Sequence, residues 1–297
     1  MSAASDLARP RRRRRRFTTA GGDKLTRTEL VVRYTLLLVV VAITIGPFVW
    51  EFLTSIKGHG DDLYAQPPQW LPKDANFDNY VRVNNVIPVL RFVLNSLVVA
   101  TANVAMNVMG SALAGYALAR LKFRGRKVAF GVFLAALLIP QEAAIISVLQ
   151  MVNHIHLSNT LVAVVLPGCI ASLNVLLMMN AFSAIPKEID EAAVIDGANA
   201  WKRFWRIGLP AVKGTMAVVG LLSFMGGWDD FLWPLLVLND TDKYTLTVGL
   251  NYLQGTFNQD PRVVAAGTII AVAPLIALFL ILQKQFFKGV GEGAIKG

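Results

Sequence analysis

Six stretches of this 297-residue chain are apolar without alternation: 30–53, 92–119, 128–150, 161–182, 214–238 and 263–282. Crossing the hydrocarbon of a bilayer in helical form takes ~20 mainly apolar residues, so each run is long enough for one span. Lipid offers the backbone no hydrogen bonds, which restricts spanning structures to helices and closed barrels. A barrel strand would be ~10 residues of alternating polarity, whereas these runs are continuous. The expected fold is therefore an all-α integral membrane bundle of six transmembrane helices. Composition agrees, with 55% hydrophobic and only 16% charged residues, against about 25% charged in soluble domains. Cys169 is the only cysteine, which excludes an internal disulfide and a cysteine-rich metal site.

The basic residues orient the bundle. With the N-terminus inside, 23 of the 29 Lys and Arg fall on the cytoplasmic side: ten through Arg33, five in 120–127, five in 187–213 and three near the C-terminus. Lys57, Lys73, Arg82, Arg91, Lys243 and Arg262 lie outside. Lys and Arg resist translocation, so both termini are expected in the cytoplasm. The run Arg11–Arg16 reads as part of a disordered, arginine-rich cytoplasmic tail over residues 1–29 that meets anionic lipid. An export signal is disfavoured because the following apolar run is too long and lacks a small-residue cleavage site; a nucleic-acid arm is disfavoured by the adjoining span.

The first external loop, 57–91, carries Pro67, Pro68, Trp70 and Pro72 among several aspartates. Prolines fix the backbone and tryptophan seeks an apolar bed, so an ordered lid or docking surface is expected there. Ser111, Gly115 and Ala119 recur at four-residue spacing in the second run, the pattern that lets helix backbones approach closely.

Between the fourth and fifth runs the chain reads PKEIDEAAVIDGANAWKRFWRIGLPAV over 186–212. Pro186 and the acids Glu188, Asp190 and Glu191 suit the start of a helix, whose dipole is positive there. Gly197 ends or bends it. Asn199 can cap a second helix, with Trp201, Phe204 and Trp205 on one face and Lys202, Arg203 and Arg206 on the other. Such helices could lie in the lipid interface. The compact acidic helix with Ala192 and Ala193 is better suited to a protein groove.

Glu191, Ala192 and Ala193, then Gly197 and finally Ile207, Leu209 and Pro210, resemble in identity and spacing the EAA signature of membrane subunits of binding-protein-dependent ABC importers. The likeness extends through FVWEFLTSIK at 48–57, NSL at 95–97, AGYALAR at 114–120, WDDFLWPL at 228–235 and the terminal AIKG. Nearly everything after Leu30 looks like the carbohydrate permeases of maltose type; the first 29 residues have no counterpart.

The resemblance implies a permease domain over 30–285 with a coupling loop over 184–213, and a cytoplasmic tail over 286–297. It implies a heterodimer with a second permease chain, two ABC ATPase subunits and an external solute-binding protein, with sugar or a sugar-like solute as cargo. Glu188, Glu191, Ala192, Ala193, Asp196, Gly197, Ile207, Leu209 and Pro210 would couple to the ATPase, with the fit of Ala192, Ala193 and Gly197 in its cleft adding to the charge of Glu191. No GxxxxGK[ST] occurs, so ATP and Mg would be bound by the partner subunits and this chain would carry neither catalytic residue nor cofactor.

Polar residues at membrane depth are the candidates for a solute pathway, because such groups normally face a cavity or a partner. They are Asn103, Asn107, Gln141, Glu142, Asn174, Asn180, Asp229 and Asp230, with Trp228 and Trp233 able either to stack on a sugar or to anchor at the interface. On one continuous helix Asp229 and Asp230 would point about 100° apart. The family more often has an amide where Asp229 stands. His154 and His156 lack the company a metal needs, and the DxD pair Asp240 and Asp242 reads as a turn. The alternatives are an importer of a non-sugar solute such as glycerol phosphate, a secondary transporter acting as one chain, and a membrane glycosyltransferase using the DxD pair.

Overall fold

The computed structural model describes residues 26–255 and 260–294. The Arg11–Arg16 run and the tail through residue 25 lie outside them. The chain divides into two compact units, residues 1–50 and 51–297. The described residues form fourteen α-helices joined by short 3₁₀ and π turns.

Helix α1 (Arg27–Ser55) runs from the first unit into the second. It opens on a reciprocal cap: the Thr26 backbone N–H donates to Glu29 Oε2 at 2.8 Å and that of Glu29 to Thr26 Oγ1 at 3.3 Å, the capping-box arrangement. Helix therefore starts within the expected tail, before residue 29. Side chains from Val31 to Phe48 are largely exposed, as lipid- or partner-facing positions are.

In the second unit, three of the expected spans are broken. Helix α2 (Asp78–Val86) leads into α3 (Val89–Arg120), which is continuous and forms the spine. The third run splits into α4 (Arg126–Ala136) and α5 (Gln141–His154), bent by 105°. Pro140 explains it, since proline lacks an N–H and disfavours helix in the residue before it. The fourth splits into α6 (Leu161–Val165), a 3₁₀ turn (Leu166–Gly168) and α7 (Ser172–Ser183), bent by 50°. The fifth ends early: α11 (Lys213–Asp229) stops at an extended Asp230, and α12 (Leu232–Val237) follows.

Between α7 and α11 stand α8 (Lys187–Ile195), α9 (Ala200–Arg203), a π turn (Phe204–Gly208) and α10 (Leu209–Ala211). Helix α13 (Leu246–Gly255), absent from the apolar-run reading, precedes α14 (Pro261–Ala294). The last helix continues through most of the expected C-terminal tail. By length and composition three of the described helices can cross a membrane, and up to six spans result if each bent pair counts as one, the third pair being Ala200–Ala211 with Lys213–Asp229, bent by 79°.

Glycines set the spacing of the bundle. A Cβ at Gly115 of α3 would lie 2.7 Å from the Met179 backbone nitrogen and 2.8 Å from Met178 Cβ on α7, so these two backbones touch because residue 115 has no side chain. Two cores result. The larger gathers Phe92, Val99, Trp228, Trp233, Leu246 and Val263. The smaller, at the opposite end of α3, gathers Tyr116, Met178, Phe182, Phe204, Val212 and Val219.

The connection 57–91 is ordered by its own polar contacts. Lys57 is buried and its ammonium donates to the Gln69 carbonyl at 2.6 Å. Asn79 donates to the carbonyls of Ser55 and Lys57, each at 2.9 Å. Arg82 and Arg262 close on Asp260 at 2.7 and 3.0 Å, and Arg262 also donates to the Gly58 carbonyl.

Candidate functional site

Helix α8 ends as its sequence dictates. Gly197 adopts φ +77°, in the left-handed region that glycine enters freely. The Ala198 N–H then reaches the Ala193 carbonyl at 2.9 Å and the Gly197 N–H that of Val194 at 3.0 Å, a full Schellman closure. Asn199 caps α9 by accepting from the Lys202 N–H at 2.8 Å. The signature glycine thus folds α9 back along α8. Arg203 on α9 donates to Asp190 on α8 at 2.9 Å, with both side chains at most one-fifth exposed. Arg203 therefore belongs to an internal ion pair and not to the solvated face that helical periodicity suggests.

The hairpin is anchored by an aromatic nest. Phe204 is 1% exposed, its ring centroid 5.2 Å from Tyr116 on α3 and 6.3 Å from Phe182 on α7; Tyr116 and Phe182 meet edge to face at 5.3 Å. A Cβ on Gly208 would come within 3.2 Å of Phe182 and 3.4 Å of Tyr116, so the small residue between Ile207 and Leu209 admits the nest. Arg120, the last residue of α3, donates to the Phe182 carbonyl through Nε at 3.0 Å and Nη2 at 2.5 Å, and to the Ile185 carbonyl. These carbonyls lie at the exit of α7, where the regular i+4 partner is missing; the Phe182 carbonyl also accepts from the Ile185 N–H at 3.2 Å. One guanidinium thereby ties α3, α7 and the start of the hairpin.

The signature residues divide into two sets. Ala193 and Leu209 are each 8% exposed, and Gly208 is also buried; they hold the hairpin from beneath. Ala193 is therefore unavailable to fit another protein's cleft. Glu188, Glu191, Ala192, Asp196, Gly197 and Pro210 are exposed, and Ile207 is half-buried. Beside them Ile189, Val194 and Ile195 present apolar side chains, Ile195 at 86% exposure. The outer face is an apolar ridge edged by carboxylates.

The polar residues at membrane depth behave differently from a row of solute ligands. Asn107 spans the break in the fourth run: its Nδ2 donates to the Gly168 carbonyl and its Oδ1 accepts from the Ala171 N–H, both at 2.8 Å. Asn174 donates to Asn107 Oδ1 and to Ser223 Oγ, both at 3.1 Å. Asn107, Asn174 and Ser223 are buried, so this network clamps α3, α7 and α11. It replaces the backbone hydrogen bonds that the broken helix lost. The side chains of Asn107 and Asn174 are thus engaged within the bundle.

Trp228 and Trp233 are core residues too, 2% and 9% exposed. Their indole N–H groups donate to the carbonyls of Ala271 at 2.9 Å and Ala163 at 3.0 Å, so neither faces a sugar nor anchors at the interface. Asp229 and Asp230 do not share a helix, since α11 stops between them. Asp230 accepts from the Trp233 N–H at 3.4 Å and its carbonyl from Thr247 Oγ1 at 2.6 Å. Gln141, Glu142 and Asp229 are exposed. Asn103 is half-buried, its side chain against the bare positions of Gly168 and Gly227. The DxD pair is a turn: Asp240 Oδ1 accepts from the Asp242 N–H at 3.2 Å, and the carboxylates pair with Lys243 and Arg91.

A family model for the "binding-protein-dependent transport system inner membrane component" matches residues 106–292, which include the whole hairpin and its anchor. The chain belongs to this family. The permease is 33% identical over 203 residues to the arabinooligosaccharides transport system permease protein AraQ of Halalkalibacterium halodurans, covering 68% of this chain and 73% of that one. It is 30% identical over 275 residues to the galactooligosaccharides transport system permease protein GanQ of Bacillus subtilis, covering 91% and 96%. A crystal structure of a bacterial ABC transporter for the acidic polysaccharide alginate contains a chain of the same fold, with TM-score 0.80 at 23% identity over 89% of this chain and 99% of that one.

The permease is accordingly an all-helical, multi-pass inner-membrane component of a binding-protein-dependent importer, a transport subunit and not an enzyme. Sequence reasoning missed Arg120, Arg203, Phe204 and Tyr116 as a working unit. Arg120 entered only through the charge distribution and the AGYALAR stretch at 114–120. The signal that could have found it is its place at the very end of a long apolar run, where a lone guanidinium meets carbonyls that a neighbouring helix leaves open.

Proposed function

We propose that this permease is one of two membrane chains of an ATP-driven importer of a sugar or oligosaccharide, and that the hairpin over 184–213 is its contact with a separate ATPase. The termini and the hairpin lie in the cytoplasm, in keeping with the distribution of Lys and Arg. The observation that carries the reading is the division of the signature residues: Glu188, Glu191 and Ala192 are exposed on a ridge whose base is locked to α3 and α7. A surface-exposed apolar ridge at helical spacing is the form that fits a groove. The oligosaccharide cargo is supported by the relatives, whose names specify arabinooligosaccharides and galactooligosaccharides.

The division of labour follows from magnitudes. Turning a two-state bundle from 1:99 to 99:1 takes about 5.5 kcal/mol of differential binding. One charge-assisted hydrogen bond from Glu191 contributes only ~1.5–3 kcal/mol. The remainder must come from burial of Ala192, Val194 and Ile195 against the partner, and it reaches the membrane only through a joint that does not yield. Across the membrane, Asn103, Gln141, Asp229 and Asp230 are the side chains assigned to the solute path shared with the second permease chain.

The test is reconstitution. The chain is placed in proteoliposomes with its companion permease, ATPase and solute-binding protein, and uptake of a panel of oligosaccharides and of glycerol phosphate is measured with and without ATP. ATP-dependent oligosaccharide uptake that Glu191→Ala abolishes, with insertion unchanged, is expected. Uptake by the chain alone, or without ATP, overturns the proposal.

A further inference from the structure

The turn between α3 and α4 holds four cations without counter-charge. Of the basic residues in 120–127, Arg120 is spent on the end of α7. Lys122, Arg124, Arg126 and Lys127 form no ion pair with any described residue, and the segment holds no Asp or Glu. Lys122, Arg126 and Lys127 line an open hollow of about 460 Å³ together with Phe123, Gly125 and Val128. Its lining is amphiphilic. Lys122 and Phe123 come from the turn and Arg126, Lys127 and Val128 from the first turn of α4; Phe123 is 43% and Val128 70% exposed, and the exposed apolar surface continues along α4 through Val132 and Leu134.

We propose that this hollow is a binding site for the headgroup of an anionic phospholipid, with the phosphodiester against Lys122, Arg126 and Lys127 and the upper acyl chain along Phe123, Val128 and the outer face of α4. The chemistry favours a lipid over a soluble anion or an acidic protein. A phosphate alone has no use for the Phe123 and Val128 side chains. An acidic protein surface would leave α4's exposed Val128 and Val132 uncovered or would have to bury them against charge. A lipid satisfies both halves of the lining at once, and it does so at the end of a span, where headgroups lie. Gly125, at φ +88°, makes the tight turn that brings the cations of both flanks to one side.

The site differs from the Arg11–Arg16 run as a mode of lipid contact, because folded backbone fixes the positions of its charges. It also does not depend on the docking role of the hairpin or on which leaflet the turn faces. Failure of either reading leaves the other standing.

The assembled complex, purified from membranes into nanodiscs of phosphatidylcholine with and without phosphatidylglycerol, is analysed by native mass spectrometry for retained phosphatidylglycerol. Juxtamembrane cations each strengthen anionic-lipid binding severalfold, so the variant K122Q/R124Q/R126Q/K127Q is expected to lose retention by at least about tenfold. The variant K122R/R124K/R126K/K127R keeps the charge and should keep the lipid. A photo-reactive phenylalanine analogue at Phe123 in the otherwise unchanged chain should crosslink to phosphatidylglycerol, a readout that remains available if the neutralised variant fails to assemble. Undiminished retention by the neutralised variant overturns the proposal. So does displacement of the lipid by inorganic phosphate at equal concentration, or a Phe123 crosslink that goes to protein.

Discussion

Truncating Phe204 to alanine should disconnect the hairpin from the bundle while leaving both in place. Phe204 is 1% exposed, and its ring lies among Tyr116, Phe182, Trp201 and Trp205 at centroid distances of 5.2 to 6.3 Å. Deleting a buried phenylalanine ring costs about 3–5 kcal/mol. Set against the ~5.5 kcal/mol needed to drive the bundle across its cycle, a loss of ~4 kcal/mol at the joint leaves roughly 1.5 kcal/mol, enough to populate the driven state to about a tenth. Phe204→Ala is therefore expected to transport at about a tenth of the normal rate while ATP hydrolysis continues. Phe204→Leu, which keeps most of the volume, should retain most uptake, and so should Trp201→Ala, because Trp201 is 59% exposed. The assay is ATP-driven uptake and ATPase activity of the reconstituted complex, measured in parallel. Normal uptake by a correctly assembled Phe204→Ala complex refutes the reasoning.

Three further outcomes follow from the same geometry. Gly115→Ala places a Cβ 2.7 Å from backbone on α7, so α3 and α7 must separate, and overpacking of this kind costs about 1–3 kcal/mol; a lower thermal midpoint of the purified complex checks it, and an unchanged one contradicts the close packing. Tyr116 is 5% exposed and its hydroxyl has no hydrogen-bond partner among the described residues; since an unsatisfied buried hydroxyl costs about 1–3 kcal/mol, Tyr116→Phe should raise that midpoint and not lower it. Burial pushes the Asp61 carboxyl up, but hydrogen bonds from the N–H groups of Lys73, Gly58 and Asp74, with the Lys57 ammonium nearby, hold it below its ordinary value of 3.8. Burial raises Asp260 likewise, and the hydrogen bonds from Arg82 and Arg262 outweigh it. A depressed carboxylate stabilises the fold above its unfolded pKa, and that contribution is lost as pH falls through the folded value. Limited acid proteolysis of 57–91 should thus be flat from neutrality down to about pH 4 and rise below it, whereas Asp260→Asn should be cleaved readily at neutral pH.

The apolar runs made the bundle legible, because hydrocarbon solvent imposes a length and a hydrogen-bonding rule that sequence cannot hide. The hairpin was legible for a local reason: Gly197, Asn199 and Pro186 act on their own backbone, and they sit where their chemistry demands. What sequence concealed was partnership. Asn107 and Asn174 look the same whether they face a solute or a broken helix; only the 2.8 Å contacts to Gly168 and Ala171 decide it. Helical periodicity put Arg203 on the wet face, because the turn at Gly197 that folds Asp190 over it has no periodic signature. Ala193 and Ala192 are neighbours of one type, yet one supports the ridge and the other forms it. Helix α13 has no counterpart among the apolar runs, because its ten residues are too short for a span.

The central claim is that the hairpin moves as one body with the ends of α3 and α7. Spin labels at the exposed Lys202 on α9 and at Lys122 just past α3, with Cys169 replaced by alanine, report that distance directly by pulsed electron resonance in the assembled complex. The account predicts one narrow distance distribution that is the same in nucleotide-free and ATP-bound complexes. A distribution that broadens or shifts with nucleotide would show that the hairpin bends at its anchor, and the lever would not exist.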